Sequence, residues 1–321
     1  MTGTTVAQKA TVGDYVELLR PTQWVKNVVV FAGPAAGLKL VAGQSFFQAF
    51  VAFTAFCLAA SATYAINDTV DREADARHPT KRSRPVARGA IKPAMALTIG
   101  GLLIVLATVL SAAALNRSVA IVIGLYFLMT LAYSLVLKRL IILDVIVIAS
   151  GFVLRAWGGS LAVGVATSEW LVACMFTLCL FMGFGKRRCE VAMIGNSAEA
   201  GRHRRTLIEY TPDLLNHLIT VSAGIAVVTF LLYTMDATRI PAPFHKEHLF
   251  YTLPLVVYGI FRFAMLTELG IYSGPTEIVL KDRAFLAAVF LWAIAALVVV
   301  YQTQLFGPRG LEGLFSGMGG P

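Results

Sequence analysis

Of the 321 residues, 57% are hydrophobic and 14% are charged, and the mean hydropathy is positive. That balance excludes a soluble domain and predicts an all-α integral membrane protein. The net charge of +9 is not a nucleic-acid signature, because the basic residues follow a membrane topology, so no nucleic-acid partner is expected.

The first 20 residues are polar and lack an apolar h-region, so no cleavable signal peptide is expected. Arg20-Pro21-Thr22-Gln23-Trp24-Val25-Lys26-Asn27 follows, mixing cations with a tryptophan suited to a membrane interface. Nine apolar stretches then run over 27–43, 45–65, 92–115, 117–137, 141–164, 168–185, 214–234, 249–267 and 284–305. Most reach the roughly 20 residues that cross about 30 Å of hydrocarbon as a helix. The first is interrupted by Gly33, Pro34 and Gly37. Of the 27 Lys and Arg, 20 lie in the N-terminal segment and in the loops after stretches two, four, six and eight. The positive-inside rule therefore predicts a multi-pass inner (plasma) membrane protein with those loops in the cytoplasm. No linker or low-complexity region divides the chain, and a single domain over 1–321 is expected. Cys57, Cys174, Cys179 and Cys189 lie in or beside apolar segments without a CxxC or Cys/His pattern. They read as small buried side chains.

The second apolar stretch carries Tyr64 and runs into Asn67-Asp68-Thr69-Val70-Asp71-Arg72-Glu73-Ala74-Asp75. Asn67, Asp71 and Asp75 are spaced four apart and stack along one face of a helix, with Asp68 beside them. Oxygen ligands converging at a membrane edge repel one another unless a cation sits between them, and hard oxygen donors suit Mg²⁺. The next residues, His78-Pro79-Thr80-Lys81-Arg82-Ser83-Arg84-Pro85, form a basic loop broken by two prolines. Carboxylates beside Lys81, Arg82 and Arg84 are what a Mg²⁺–diphosphate site needs, since cations hold the outer phosphate oxygens.

Farther along, Tyr133 to Arg139 closes the fourth apolar stretch, with Lys138 at its end, and Asp144 opens the fifth between apolar neighbours. A carboxylate there requires a partner, either Lys138 or another cation. Arg155, inside the fifth stretch, reads either as a phosphate ligand or as half of an ion pair with Asp144, and Arg262, inside the eighth, carries the same two readings. Gly185-Lys186-Arg187-Arg188-Cys189-Glu190 closes the sixth stretch with three cations and one carboxylate. These suit phosphate, with Glu190 approaching the metal, or simply set orientation. Arg202, Arg204 and Arg205 suit topology and anionic-lipid contacts. No Ser/His/Asp or Cys/His grouping offers a covalent nucleophile.

At these residues the chain resembles the UbiA superfamily of intramembrane prenyltransferases. Asn67, Asp71 and Asp75 match its N-x-x-x-D-x-x-x-D motif. Arg20-Pro21-x-Gln23-Trp24-x-Lys26-Asn27, the run from Asn67 to Pro85, Leu137-Lys138, Leu154-Arg155-Ala156, Gly185-Lys186-Arg187 and Glu277…Asp282-Arg283 are similar to its branch acting on polyprenyl phosphates. The resemblance implies a bundle of about nine transmembrane helices with the active site at the cytoplasmic side. It also implies Mg²⁺-dependent transfer of 5-phosphoribose from phosphoribosyl pyrophosphate to a polyprenyl phosphate, in cell-wall precursor synthesis. Assembly as a homo-oligomer is a separate expectation. On the transfer reading Asn67, Asp68, Asp71 and Asp75 hold the metal. Lys81, Arg82, Arg84, Lys138, Lys186 and Arg187 hold phosphate oxygens, Asp144 or Glu190 positions ribose hydroxyls, and Arg155 or Lys26 orients the lipid phosphate. Tyr133 and Arg262 are further candidates for substrate contact.

The chain departs from the wider superfamily at Lys186-Arg187-Arg188-Cys189-Glu190, where the aromatic prenyltransferases carry a second Asp-rich motif. Cations in place of carboxylates disfavour an aromatic prenyltransferase using a prenyl diphosphate, the main alternative. A transporter would place ionisable residues near the bilayer midplane, whereas here they crowd one membrane edge.

Overall fold

The computed structural model describes residues 10–40, 42–78, 81–195, 209–236 and 246–306, and among them every regular element is helical. The helices are α1 (Val12–Leu19), α2 (Ala32–Ala36), α3 (Gly43–Val70), α4 (Arg72–Arg77), α5 (Pro93–Ala114), α6 (Arg117–Leu135), α7 (Leu143–Ala162) and α8 (Glu169–Gly195). They continue with α9 (Pro212–Met235), α10 (Leu253–Leu269), α11 (Pro275–Lys281) and α12 (Arg283–Phe306). Short 3-10 helices fill Pro21–Phe31, Lys81–Ser83, Leu137–Arg139 and Lys246–Thr252.

Among the described residues eight helical segments are long and apolar enough to cross a membrane: α3, α5, α6, α7, α8, α9, the run ending in α10, and α12. The ninth expected span, over 27–43, is instead the 3-10 helix Pro21–Phe31 followed by the five-residue α2. Gly33 and Pro34 are the reason, since proline lacks an N–H for the helical ladder and glycine weakens a helix interior.

The chain folds into two compact units. The first contains the described residues up to Ala35, those from Lys39 to Lys138, and Leu154–Val165. The second contains Ala36–Leu38, Arg139–Val153 and the described residues from Ala166 onward. α7 thus gives its first half to the second unit and its second half to the first.

In the first unit α3 presents Ala49, Ala52, Ala55, Ala59, Ala62 and Ala65 at spacings of three and four, all fully buried. Small residues let helix backbones approach where lipid supplies no hydrophobic drive between them, and α5 and α6 pack on that face. A second cluster, of Leu18, Ala65, Val86, Ile91 and Ala96, fastens α1 and the loop after α4 to α3 and α5. In the second unit α8 and α9 pack together, and Phe181, Phe184, Phe263, Phe285, Leu215 and Ile219 fill the core. The outward faces of α5 (Leu102, Val105, Val109) and α12 (Val289, Phe290, Leu297) are apolar and exposed, as a lipid solvent requires.

Candidate functional site

The acidic stretch emerges where α3 ends. The helix is interrupted at Asp71 (φ −88°, ψ 6°) before α4 begins. Backbone bonds from Asp71 N–H to Asn67 C=O (2.9 Å) and from Asp75 N–H to Asp71 C=O (2.8 Å) preserve the four-residue register. The side chains nevertheless separate into two groups. Asp68 and Asp75, both buried, share Arg84, whose Nη1 donates to Asp75 Oδ2 (2.5 Å) and Asp68 Oδ1 (3.2 Å). Arg20 also donates to Asp68 Oδ1. Asp71, partly exposed, instead accepts from Lys138 Nζ through both oxygens at 2.7 Å.

The expected column of Asn67, Asp71 and Asp75 thus keeps its backbone register, while Asp68 and Asp75 share Arg84 and Asp71 pairs with Lys138. Among the described residues no three His, Cys, Asp or Glu side chains converge as a ready-made metal cage. The donor chemistry still fits Mg²⁺, because carboxylate oxygens are its ligands. One Arg84 nitrogen bridging two buried carboxylates shows that a cation is accommodated between them.

From Lys81 onward the basic loop is fastened by backbone hydrogen bonds and by burial. Arg84 N–H bonds Lys81 C=O (3.0 Å), Arg88 N–H bonds Arg84 C=O (3.0 Å), and Val86 and Ile91 are buried beneath. Arg88 pairs with Asp14 on α1, where Thr11 and Asp14 form a capping box. Lys81 is half-buried and Arg82 exposed, while Pro79 and Thr80 fall outside the described residues. Arg20 leaves α1 in the left-handed conformation (φ 51°), which turns its side chain onto Asp68 and over the Tyr64 ring. Lys26 lies exposed in the following 3-10 helix, and Trp24 there donates to Ser61 Oγ on α3 at 3.0 Å.

Arg155 is buried in the second half of α7. Its Nε donates to Asn27 Oδ1 and its Nη2 to Tyr126 Oη, each at 2.7 Å. Asn27 and Tyr126 thus hold it within the first unit. Sequence reading missed both partners, because an asparagine in a 3-10 helix and a tyrosine on α6 carry no local signal of a shared site. Tyr133 is half-buried on α6.

In the second unit Asp144, buried at the start of α7, accepts from Arg187 Nη2 (2.8 Å) and from the Tyr210 hydroxyl (2.8 Å). Arg187, also buried, donates through Nη1 to Glu190 (2.5 Å), and Lys186 lies 3.7 Å from Glu190. The partner that Asp144 requires is thus Arg187, and Glu190 holds cations on its own helix. Lys186 is exposed. Tyr210 Oη accepts from the N–H of Ile142 at 2.7 Å, fixing that residue at φ 67°, a costly conformation for a β-branched side chain. Burial, reinforced by the bond to Asp144, pushes the Tyr210 phenol well above its ordinary value. Arg262 makes a two-nitrogen pair with Asp282 (2.7 and 3.2 Å). Asp282 in turn caps α12 by accepting from Phe285 N–H (2.7 Å), so Arg262 is bound into a helix cap. Arg202, Arg204 and Arg205 lie outside the described residues.

A multi-span helical membrane protein with carboxylates at the end of its long α3 defines a class. Residues 28–269 match the UbiA prenyltransferase family, to which the chain belongs. Among its relatives are the decaprenyl-phosphate phosphoribosyltransferases of Mycolicibacterium smegmatis and Corynebacterium glutamicum. The first is 35% identical, over 88% of this chain and 91% of the relative. The second is 33% identical, over 91% of this chain and 88% of the relative. In fold the chain is similar to a UbiA homolog from Archaeoglobus fulgidus solved bound to GPP and Mg²⁺. That likeness has a TM-score of 0.66 at 17% identity and covers 89% of this chain and 99% of the other.

Proposed function

We propose that this membrane protein transfers 5-phosphoribose from phosphoribosyl pyrophosphate to a polyprenyl phosphate, releasing diphosphate, as a single catalytic domain with its carboxylate-bearing loops in the cytoplasm. The observation that carries the reading is the group of Asp68, Asp71 and Asp75 interleaved with Arg20, Arg84 and Lys138. Two relatives that match most of the chain at 33–35% identity and are named for this transfer support it.

Asp68, Asp71 and Asp75 would hold Mg²⁺, with the Asn67 amide oxygen in support. The bound ion would neutralise the diphosphate as it departs. Arg84, Lys138 and Arg20 would take phosphate oxygens by charge-assisted bonds, and the Lys81 and Arg82 side of the loop would extend that field. As the bond between ribose C1 and the diphosphate oxygen breaks, negative charge grows on the leaving group, where fixed cations lower the barrier. An oxygen of the lipid phosphate forms the new bond to C1. That oxygen is already anionic, so no residue need remove a proton. In the second unit Lys186 is proposed for phosphate contact, while Arg187 is held by Asp144 and Glu190. Arg155, fixed by Asn27 and Tyr126, is proposed to orient an anionic group.

The test uses purified protein in detergent with Mg²⁺, polyprenyl phosphate and radiolabelled phosphoribosyl pyrophosphate. Metal-dependent movement of label into the lipid phase is expected. Absence of that transfer, with turnover of a prenyl diphosphate onto an aromatic acid, would overturn the proposal.

A further inference from the structure

In the first unit three carboxylates, Asp68, Asp71 and Asp75, meet three cations, Arg20, Arg84 and Lys138. The formal charge of the group is therefore zero. Asp68 and Asp75 are 2% and 3% exposed, so their pairing with Arg84 lies in a medium of low polarity. Arg84 Nη1 occupies the position between them, within 2.5 Å of one carboxylate and 3.2 Å of the other. A free divalent ion gains little from carboxylates whose charge is already matched. To enter, it must push the guanidinium away and leave a part-buried cation without its partner, a costly arrangement. Diphosphate removes that obstacle, because its oxygens accept the released guanidinium through paired, charge-assisted hydrogen bonds. Lys138 stands in the same relation to Asp71, touching both of its oxygens.

We infer that Arg84, seconded by Lys138, is an exchangeable counter-ion that makes these carboxylates a receptor for a metal–diphosphate complex and a poor receptor for the free metal. The inference rests on the proposed reading that these carboxylates take a divalent ion. It adds a binding order and a discriminating residue. Binding of metal and diphosphate is then cooperative, and by linkage each raises the affinity for the other equally.

Equilibrium dialysis of the full-length protein in detergent against labelled Mn²⁺, with and without inorganic pyrophosphate, tests this in wild type, Arg84→Gln, Lys138→Gln and Asp75→Asn. The wild type should retain Mn²⁺ weakly alone and at least about tenfold more tightly with pyrophosphate, within the usual range of coupling energies. Arg84→Gln should retain Mn²⁺ alone about tenfold better than wild type and gain little from pyrophosphate. Lys138→Gln should move in the same direction, which keeps the test open if Arg84→Gln fails to fold. Tight retention by wild type without pyrophosphate, or unchanged retention in both cation variants, would overturn the counter-ion role while leaving the metal assignment intact. Failure of wild type to retain Mn²⁺ under either condition, with no difference from Asp75→Asn, would overturn the metal reading itself.

Discussion

Lys138 donates to both carboxylate oxygens of Asp71, each at 2.7 Å, across 67 positions of sequence. Lys138 is buried, in the 3-10 turn Leu137–Arg139, whereas Asp71 is partly open at the break between α3 and α4. The pair therefore joins a buried cation to a more open carboxylate. Lys138→Gln and Asp71→Asn should each lower the transfer rate by about a hundredfold, as loss of one preorganised charge on a leaving group commonly does. Because the two act as a unit, the double variant should be little worse than the weaker single. Initial rates of label transfer measure this. Near wild-type rates in either single variant would remove the pair from the chemistry.

Tyr210 connects backbone strain to a buried ion pair. Its hydroxyl accepts from Ile142 N–H and donates to Asp144, which holds Arg187. Tyr210→Phe keeps the ring in the core and strands both partners. A part-buried donor left unmade costs about 1–3 kcal/mol, so the melting temperature in detergent should fall by several degrees. In an Asp144→Asn background the same substitution should cost clearly less, because the shared partner is already altered. Equal losses in both backgrounds would show that the network does not act as one.

How much of this was legible in the chain follows from what each feature depends on. Transmembrane helices declare themselves through length and apolarity, so α3, α5 through α10 and α12 largely match the stretches read from sequence. The 27–43 stretch matched in composition but not in backbone, where Gly33 and Pro34 outweigh hydropathy. The residue types of the candidate site were legible because carboxylates spaced four apart directly after an apolar stretch, beside a basic loop, stand out in the chain. Their pairings were not. Which cation Asp71 or Asp75 meets depends on a helix break at Asp71 and on the course of the loop carrying Arg84. The left-handed turns at Arg20 and Ile142 fall on residue types that ordinarily avoid them. Nothing local in the sequence signals either one.

Acid should weaken the hydrogen-bonded carboxylates at Asp14 and Glu277. At Asp14, hydrogen bonds from the Thr11 backbone and hydroxyl, with Arg88 nearby, hold the carboxyl below its usual value. At Glu277, the bond from Lys281, then those from Ser273, lower the carboxyl to about 2. A carboxyl depressed on folding adds stability that is fully present above its ordinary value, near 4, and is lost as pH falls through the folded value. Thermal stability should therefore hold between pH 7 and 5 and decline below about 4. Asp14→Asn and Glu277→Gln should each be less stable than wild type at neutral pH and converge on it in acid. A constant gap from pH 7 to 3 would show that neither proton matters to folding.

Gly159 on α7 allows the 3-10 helix before α2 to lie against it. A Cβ built there would sit 1.8 Å from the carbonyl oxygen of Val30 and 2.8 Å from its carbonyl carbon. The obstacle is backbone, and Val30 is fully buried, so neither side can yield by changing a rotamer. One turn farther along, Gly33 makes the reciprocal approach, with its would-be Cβ 1.8 Å from Ser160 Oγ. Gly159→Ala should therefore force the two elements apart, and with them Asn27, which fixes Arg155. Overpacking of this kind costs about 3 kcal/mol or more. Gly101→Ala on α5 is the matched control, since no atom outside its own helix lies within 4 Å of the added methyl. There the better helix propensity of alanine should leave stability unchanged or raise it by up to about 1 kcal/mol. Melting curves of the two variants, purified side by side, decide the matter. If Gly159→Ala melts with Gly101→Ala, the close approach of α7 to the 3-10 helix does not hold the first unit together.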